Sequence, residues 1–444
     1  MAYAALIPFA ILFLCFAGLR LPLTHASFIS LLVGTGLTGT LFQATPAVWN
    51  LALSKTFQMM MEIGLILLGA FFFLEVAKRT AIIDSLAQLI RAISPNRLIQ
   101  AVLVTFPLSL MVEGSSGFGT PLLVIAPILL ALEFKIEQCA LLPLVSFIIG
   151  IPYGALGTPT RLGFPDAEPS FDIFMAVSPF IVITPILTLF LITRRPPLRI
   201  ILWTLSLSAI YFLAGRPFAA SGPELAALGP AFATLVWGLV TTRVFFRSEE
   251  TSRRFELKGV TLYGGLLMVL WLGKRIFMDQ LIPGTSIRIF NPGYVFLLFG
   301  AFLIGTHSHV VLGSVVKDTF NRAKRTLAVL FCMTFLVQQL RANGSLELLT
   351  HSLPPFLLGS GAPFLGWLGS IFVGTSTMAN LLLSKVVDPV RYVSIAGGSA
   401  IGVQLAFQSV AAMKSILHDR LSEKQIYRLI LPVSLGYILL FSLF

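Results

Sequence analysis

Charge is scarce in this chain. Of its 444 residues 11% are Asp, Glu, Lys or Arg, against 56% hydrophobic. That balance excludes an ordinary soluble domain and a disordered segment, both of which carry far more charge. Cysteine is scarce as well. Cys15, Cys139 and Cys332 stand far apart, in or beside apolar segments, which excludes a disulfide framework or a zinc site and leaves packed thiols. No HExxH, no GxSxG, no P-loop and no paired aspartates inside apolar segments occur, so neither an intramembrane enzyme nor ATP drive has residues to rest on. A long polar linker is missing too. The longest, Arg247 to Lys258, is too short for a soluble output module, and 1–444 reads as a single domain.

What the chain does have is apolar sequence in runs near the ~20 residues needed to cross a bilayer. They fall near 3–18, 26–45, 58–77, 139–157, 171–193, 199–215, 226–246, 259–278, 291–309, 324–340, 390–413 and 427–444. The fold class is therefore an all-α, multi-pass membrane protein. The first run, Ala2 to Ala17, lacks a basic leader and a small-x-small cleavage site, and is expected to stay as a helix. A net charge of +12 is no nucleic-acid footprint here, because Lys and Arg cluster in short loops between apolar runs.

Two further apolar stretches, 98–133 and 362–386, are broken in the middle by Gly, Ser, Thr or Asn. Loop charge chooses their topology. If both return to the side they entered, 22 of the 31 Lys and Arg residues share one side of the membrane; if both cross, the bias weakens. The expectation is twelve crossings plus two re-entrant hairpins, with both termini outside.

An offset of 263 residues superimposes Gly69–Lys78 on Cys332–Arg341. Each copy continues with a short amphipathic stretch, Asp84 to Ile93 and Leu346 to Leu353, and then a broken apolar one. The repeats would span about 58–193 and 324–444, with inverted topology. Secondary transporters built this way hold substrate between broken helices near the bilayer midplane.

Glu113, in Met111-Val112-Glu113-Gly114-Ser115-Ser116-Gly117-Phe118-Gly119-Thr120-Pro121, is the residue that marks a site. A carboxylate in an apolar span costs roughly 2.5–3.5 kcal/mol on insertion scales. It has two functional roles open to it: carrying the proton of a proton-coupled uptake, or staying ionised beside a cation such as Na⁺. The bland alternative is a neutral Glu bonded to loop amides. Helix N-termini at such breaks favour an anion. Gly114, Gly117 and Gly119 permit close backbone approach, and Ser115, Ser116, Thr120, Thr375, Ser376, Thr377 and Asn380 offer hydroxyl or amide partners, a set suited to a small carboxylate. Thr158 and Arg161, in Gly157-Thr158-Pro159-Thr160-Arg161, form a further candidate, Arg161 either pairing with a carboxylate or lying at the membrane surface. His307 and His309 either relay protons with Glu113 or line a polar helix end. Gln404 and Gln408 share a helix face and line a cavity or bridge helices; Glu62 and Glu75 read as structural.

The motif Glu113–Pro121, the later Gly157-Thr158-Pro159-Thr160 and the C-terminal Thr375-Ser376-Thr377-Met378-Ala379-Asn380-Leu381-Leu382 together resemble the lactate permease family of bacterial transporters, from about residue 58 to 413. Ser115-Ser116 stands where that family commonly has alanines, and Met378 where it tends to be polar. The resemblance implies a symporter in the bacterial cytoplasmic (inner) membrane that takes up L-lactate, with D-lactate and glycolate as related substrates, together with a proton. Coupling to Na⁺ with another small organic anion, or passive anion conduction, is the alternative. No cofactor, metal or nucleic acid is implied, and a homodimer is compatible with the sequence without being decided by it.

Overall fold

Proline and glycine mark some of the helix boundaries, with Pro46 and Pro292 at helix starts and Gly117 and Gly374 at helix ends, while Pro127, Pro143, Pro179, Pro185, Pro217 and Pro432 lie inside helices. The computed structural model describes residues 2–19, 21–117, 119–164, 169–246, 257–277, 280, 289–384, 386, 391–418 and 420–443. Arg20, Phe118 and residues 247–256 of the polar linker lie outside the described residues.

The described residues form helices and no strands. In chain order these are α1 (Ile7–Phe13), α2 (Leu23–Thr40), α3 (Pro46–Arg79), α4 (Ile82–Ile93), α5 (Arg97–Leu103), α6 (Ser109–Ser116), α7 (Thr120–Ala131), α8 (Ile136–Ser146), α9 (Gly154–Gly163), α10 (Ser170–Ile192) and α11 (Leu198–Ala220). Then follow α12 (Leu228–Phe245), α13 (Lys258–Phe277), α14 (Pro292–Thr306), α15 (Leu312–Ala342), α16 (Ser345–Ser352), α17 (Pro355–Leu358), α18 (Ala362–Val373), α19 (Ser376–Leu383), α20 (Tyr392–Gly402), α21 (Phe407–Ile416) and α22 (Glu423–Phe441).

Among the described residues eight helical stretches are long and apolar enough to cross a membrane, or nine if the bent pair 136–149 and 151–163 is one span. That is fewer than the twelve expected, for a physical reason. The stretch 3–16 and α14 are short, and α2 and α15, though 18 and 31 residues long, carry too many polar side chains. In α15 these include Lys317, Asp318, Lys324 and Arg325.

Both broken stretches fold as helix, break, helix, and in each the second arm turns back. α5 runs into α6 through a π-turn over Val104–Leu108, where Pro107 supplies no amide hydrogen. α7 then returns until Arg91 and Arg97, beside the start of α5, donate to the carbonyls of Ala131 and Glu133. In the later stretch α19 folds along α18, so that Gly369 faces Ala379 and Leu383. Each hairpin is followed by an interrupted helix. α8 gives way near Gly150 to a 62° bend before α9, and α20 ends in a 3₁₀ turn at Val403–Leu405 before Ala406 starts α21. α9 packs against α19, and α7 against α21, so each hairpin's second arm meets the interrupted helix that follows the other hairpin.

Candidate functional site

Glu113 lies one turn from the end of α6, and α6 ends because Gly117 adopts φ 54°, ψ −156°, a conformation only glycine reaches without strain. The chain turns there against the bend between α8 and α9. Ala155 and Leu156 in that bend also have positive φ, 46° and 55°, which costs of order 1–3 kcal/mol at each. The Glu113 side chain is 4% exposed and rests on Gly150 and Gly154; a Cβ at Gly154 would overlap its Oε1. Its Oε2 has no hydrogen-bond partner among the described residues.

Beside this carboxyl is a cavity of about 150 Å³. Glu113 and Gly119 of the first hairpin, Thr375, Ser376 and Thr377 of the second, and Gln408 and Ser409 of α21 supply its polar wall; Leu122, Leu123, Phe147, Ile151 and Val403 close it with apolar surface. Helices α7, α19 and α21 all begin here. The first amides of a helix have no partner within it and its N-terminus carries a partial positive charge, so three such ends around one cavity favour an anion.

The second tip is held by a chain of hydrogen bonds. Thr375 Oγ1 accepts from the Met378 amide at 3.2 Å. Asn380, fully buried, donates to Pro159 O at 3.2 Å and accepts from Ser399 Oγ at 2.7 Å, which leaves Ser376 Oγ as donor in its 2.6 Å bond to Ser399. Gln408 donates to Gly374 O, tying α21 to the same tip. Asn380 therefore positions the cavity wall from behind.

The other expected residues are placed as follows. Gly114 packs against Ala227 and Leu228, and Gly117 against Ala155. Ser115 and Ser116 donate to Val112 O at 3.0 and 2.9 Å, and Thr158 to Ala155 O at 2.6 Å, so these hydroxyls serve their own backbone. Thr120 is buried at the start of α7, its hydroxyl without a partner among the described residues. Arg161 pairs with Glu62 of α3 and, at 3.6 Å, with Glu224 between α11 and α12; Glu224 pairs at 2.6 Å with Lys274 of α13. Burial opposes ionisation of Glu224, but the Arg161 and Lys274 cations outweigh it and hold the carboxyl below its ordinary range. His307 bonds to Leu303 O at 2.9 Å and His309 to Arg79 O at 3.2 Å, between α14 and α15 at the end of α3, and the structure does not bring them to Glu113. Gln408, by sequence a cavity-lining or bridging residue, does both: it lines the cavity and ties α21 to the second tip. Ser409, Glu224 and Lys274 carry no motif that singles them out.

A family model described as L-lactate permease matches residues 1–262, more than half of the chain. The protein belongs to the L-lactate permease family. Among curated relatives, the L-lactate permease of Bacillus subtilis (strain 168) is 22% identical over 86% of this chain and 84% of its own length. That of Halalkalibacterium halodurans is 22% identical over 99% of this chain and 95% of its own. The L-lactate permease of Escherichia coli (strain K12) is 31% identical over a shorter part, 22% of this chain. For an L-lactate permease family member with many apolar helices, the cavity between the hairpin tips is the candidate for the permeating molecule, and a multi-pass membrane location follows from both lines of observation.

Proposed function

We propose that this protein is a secondary active transporter of the bacterial cytoplasmic membrane that takes up L-lactate, and the related D-lactate and glycolate, by proton symport. The observation that carries the reading is the Glu113 carboxyl: among the described residues it is buried with one oxygen unpartnered and is the sole titratable side chain lining a cavity ringed by three helix N-termini. The substrate carboxylate binds the first-turn amides and hydroxyls of Thr375, Ser376 and Thr377, and Glu113 carries the proton, so that loading both adds no net charge to the buried site. The relatives, L-lactate permeases, supply lactate as the substrate to test first.

Alternating access rests on the repeat. α3 and α15, both over 30 residues, end 263 residues apart at Arg79 and Ala342, and α4 and α16 start after the same short gap. Hairpin, interrupted helix and a long helix, α10 or α22, follow in the same order in both halves. The crosswise packing of α7 on α21 and α9 on α19 fits an inverted pair related by a two-fold axis. With the stretch 3–16, α2, α14 and α15 counted, and both hairpins returning, the chain makes twelve crossings.

Radiolabelled L-lactate uptake into proteoliposomes, under an imposed pH gradient and separately under a Na⁺ gradient, tests the reading. Accumulation under the pH gradient that a protonophore collapses is the expected result. Glu113→Gln, which keeps the hydrogen-bonding shape and removes the titration, should abolish gradient-driven accumulation while lactate counterflow exchange continues. Proton-driven accumulation by that variant would overturn the role of Glu113; accumulation under Na⁺ alone would overturn the coupling ion.

A further inference from the structure

The central cavity is closed differently on its two sides. Toward the ends of α9 and α13 stands the network Glu62–Arg161–Glu224–Lys274, which joins α3, α9, the 221–227 segment and α13. Only a small void of about 20 Å³ remains beside it. Toward the opposite face lies a second cavity of about 450 Å³, and Thr375 and Gln408 line both it and the central one. The rest of its wall comes from the start of α2, the middle of α15 and Met378 of α19. Its charged or titratable lining is basic, His25 and Arg325, and no carboxylate lines it among the described residues.

Arg325 is unusual for its depth. It lies seven residues, about 10 Å along α15, beyond Asp318, which pairs with Arg79 at the end of α3. Its side chain is exposed and lines this open cavity, and a guanidinium that faces a water-filled cavity along a membrane helix marks an ion pathway. The 263-residue offset of the proposed repeat equates Arg325 with Glu62, the residue that Arg161 clamps on the closed side. At this pair of positions one half of the molecule thus has an acid locked in an ion pair and the other a cation facing an open cavity.

We propose that Arg325, with His25, is a waypoint for the carboxylate substrate, a second anion-binding position between the central cavity and the face that carries the basic loops. The carboxylate passes from Thr375–Thr377 and Gln408 to the guanidinium of Arg325, which draws anions in and turns cations away from this vestibule. The chemical class of the ligand, a small monocarboxylate, rests on the transport reading given above; the cavity and its charge do not.

Thr326 lines the same vestibule and is half-buried, so Thr326→Cys reports its accessibility, and Cys15, Cys139 and Cys332 are buried. Proteoliposomes holding Thr326→Cys are treated from either side with an anionic or a cationic methanethiosulfonate of similar size, the parent chain giving the background. Modification should occur from the basic-loop face, with the anionic reagent about tenfold faster. Arg325→Gln should remove most of that preference, Arg325→Lys should retain it, and L-lactate should slow the anionic reagent when Arg325 is present. Equal rates for the two reagents with Arg325 in place, a preference unchanged in Arg325→Gln, or modification from the other face alone would overturn the waypoint. The readout needs no transport: an anionic preference that survives while L-lactate neither accumulates nor slows labelling would sink the lactate reading and leave an anion vestibule.

Discussion

Two residues show how closely the site is built around Glu113. At Gly154 the Glu113 carboxyl occupies the space a side chain would take, so Gly154→Ala should cut uptake at least tenfold while the protein still inserts; wild-type uptake by that variant would refute the placement of the carboxyl. Asn380 is the second case. Asn380→Ala leaves Pro159 O without its buried side-chain donor and removes the acceptor of Ser399, which keeps Ala396 O and Ser376, a loss of roughly 1–3 kcal/mol that should lower the melting temperature in detergent as well as the uptake rate. Much of this was legible in the residues themselves: a carboxylate among glycines in an apolar run, and a Thr-Ser-Thr cluster far along the chain, do line one cavity. Ser115, Ser116 and Thr158 carry the same chemistry but bond to carbonyls three or four residues back, and a sequence does not state which way a hydroxyl turns.

At the scale of elements, the ion-pair network is the part that sequence hid most. Arg161 was visible as a cation at the end of an interrupted helix, but Glu224 follows Ser-Gly-Pro in a connecting segment and Lys274 ends a long helix, and only the fold makes them neighbours. Removing one partner of a buried network costs roughly 3–5 kcal/mol because the remaining charges lose their compensation. Arg161→Gln should therefore destabilise the protein strongly, and it also changes the response to pH. Glu224 titrates lower in the folded protein than in the unfolded chain, so its contribution is full above the ordinary glutamate range, near 4.3, and disappears as pH falls through the lower folded value. In Arg161→Gln that folded value rises toward the unfolded one, and the acid-side loss of stability attributable to Glu224 shrinks. Melting temperatures measured from pH 3 to pH 7 should thus converge for the two proteins at the acid end and diverge near neutrality. A constant gap across the range would mean that Arg161 does not hold Glu224 ionised.

At the scale of the molecule, helicity and the two breaks were plain in the apolar pattern, whereas the number of crossings was not. Hydropathy recognises a span only where the average over its length is apolar, and α15 joins an exposed first half carrying Lys317, Asp318, Lys324 and Arg325 to a buried apolar second half that packs along α3 and α2. The converse error threatens at 97–116, which passes every test of length and apolarity yet belongs to an arm whose partner turns back. The ends of the hairpins decide the matter. Pro95 and Lys135 are exposed and flank the first hairpin, and Ser360 and Arg391 are exposed and flank the second. Returning hairpins place the members of each pair on one face, and the proposed count of seven crossings from α8–α9 through α15 puts the two pairs on opposite faces. Single cysteines at these four positions, labelled in right-side-out and inside-out vesicles with an impermeant maleimide, should give Pro95→Cys and Lys135→Cys from the cytoplasmic face and Ser360→Cys and Arg391→Cys from the outside. If Pro95→Cys and Lys135→Cys label from opposite faces, the first stretch is a crossing, Glu113 is no longer at a hairpin tip, and the inverted repeat fails with it.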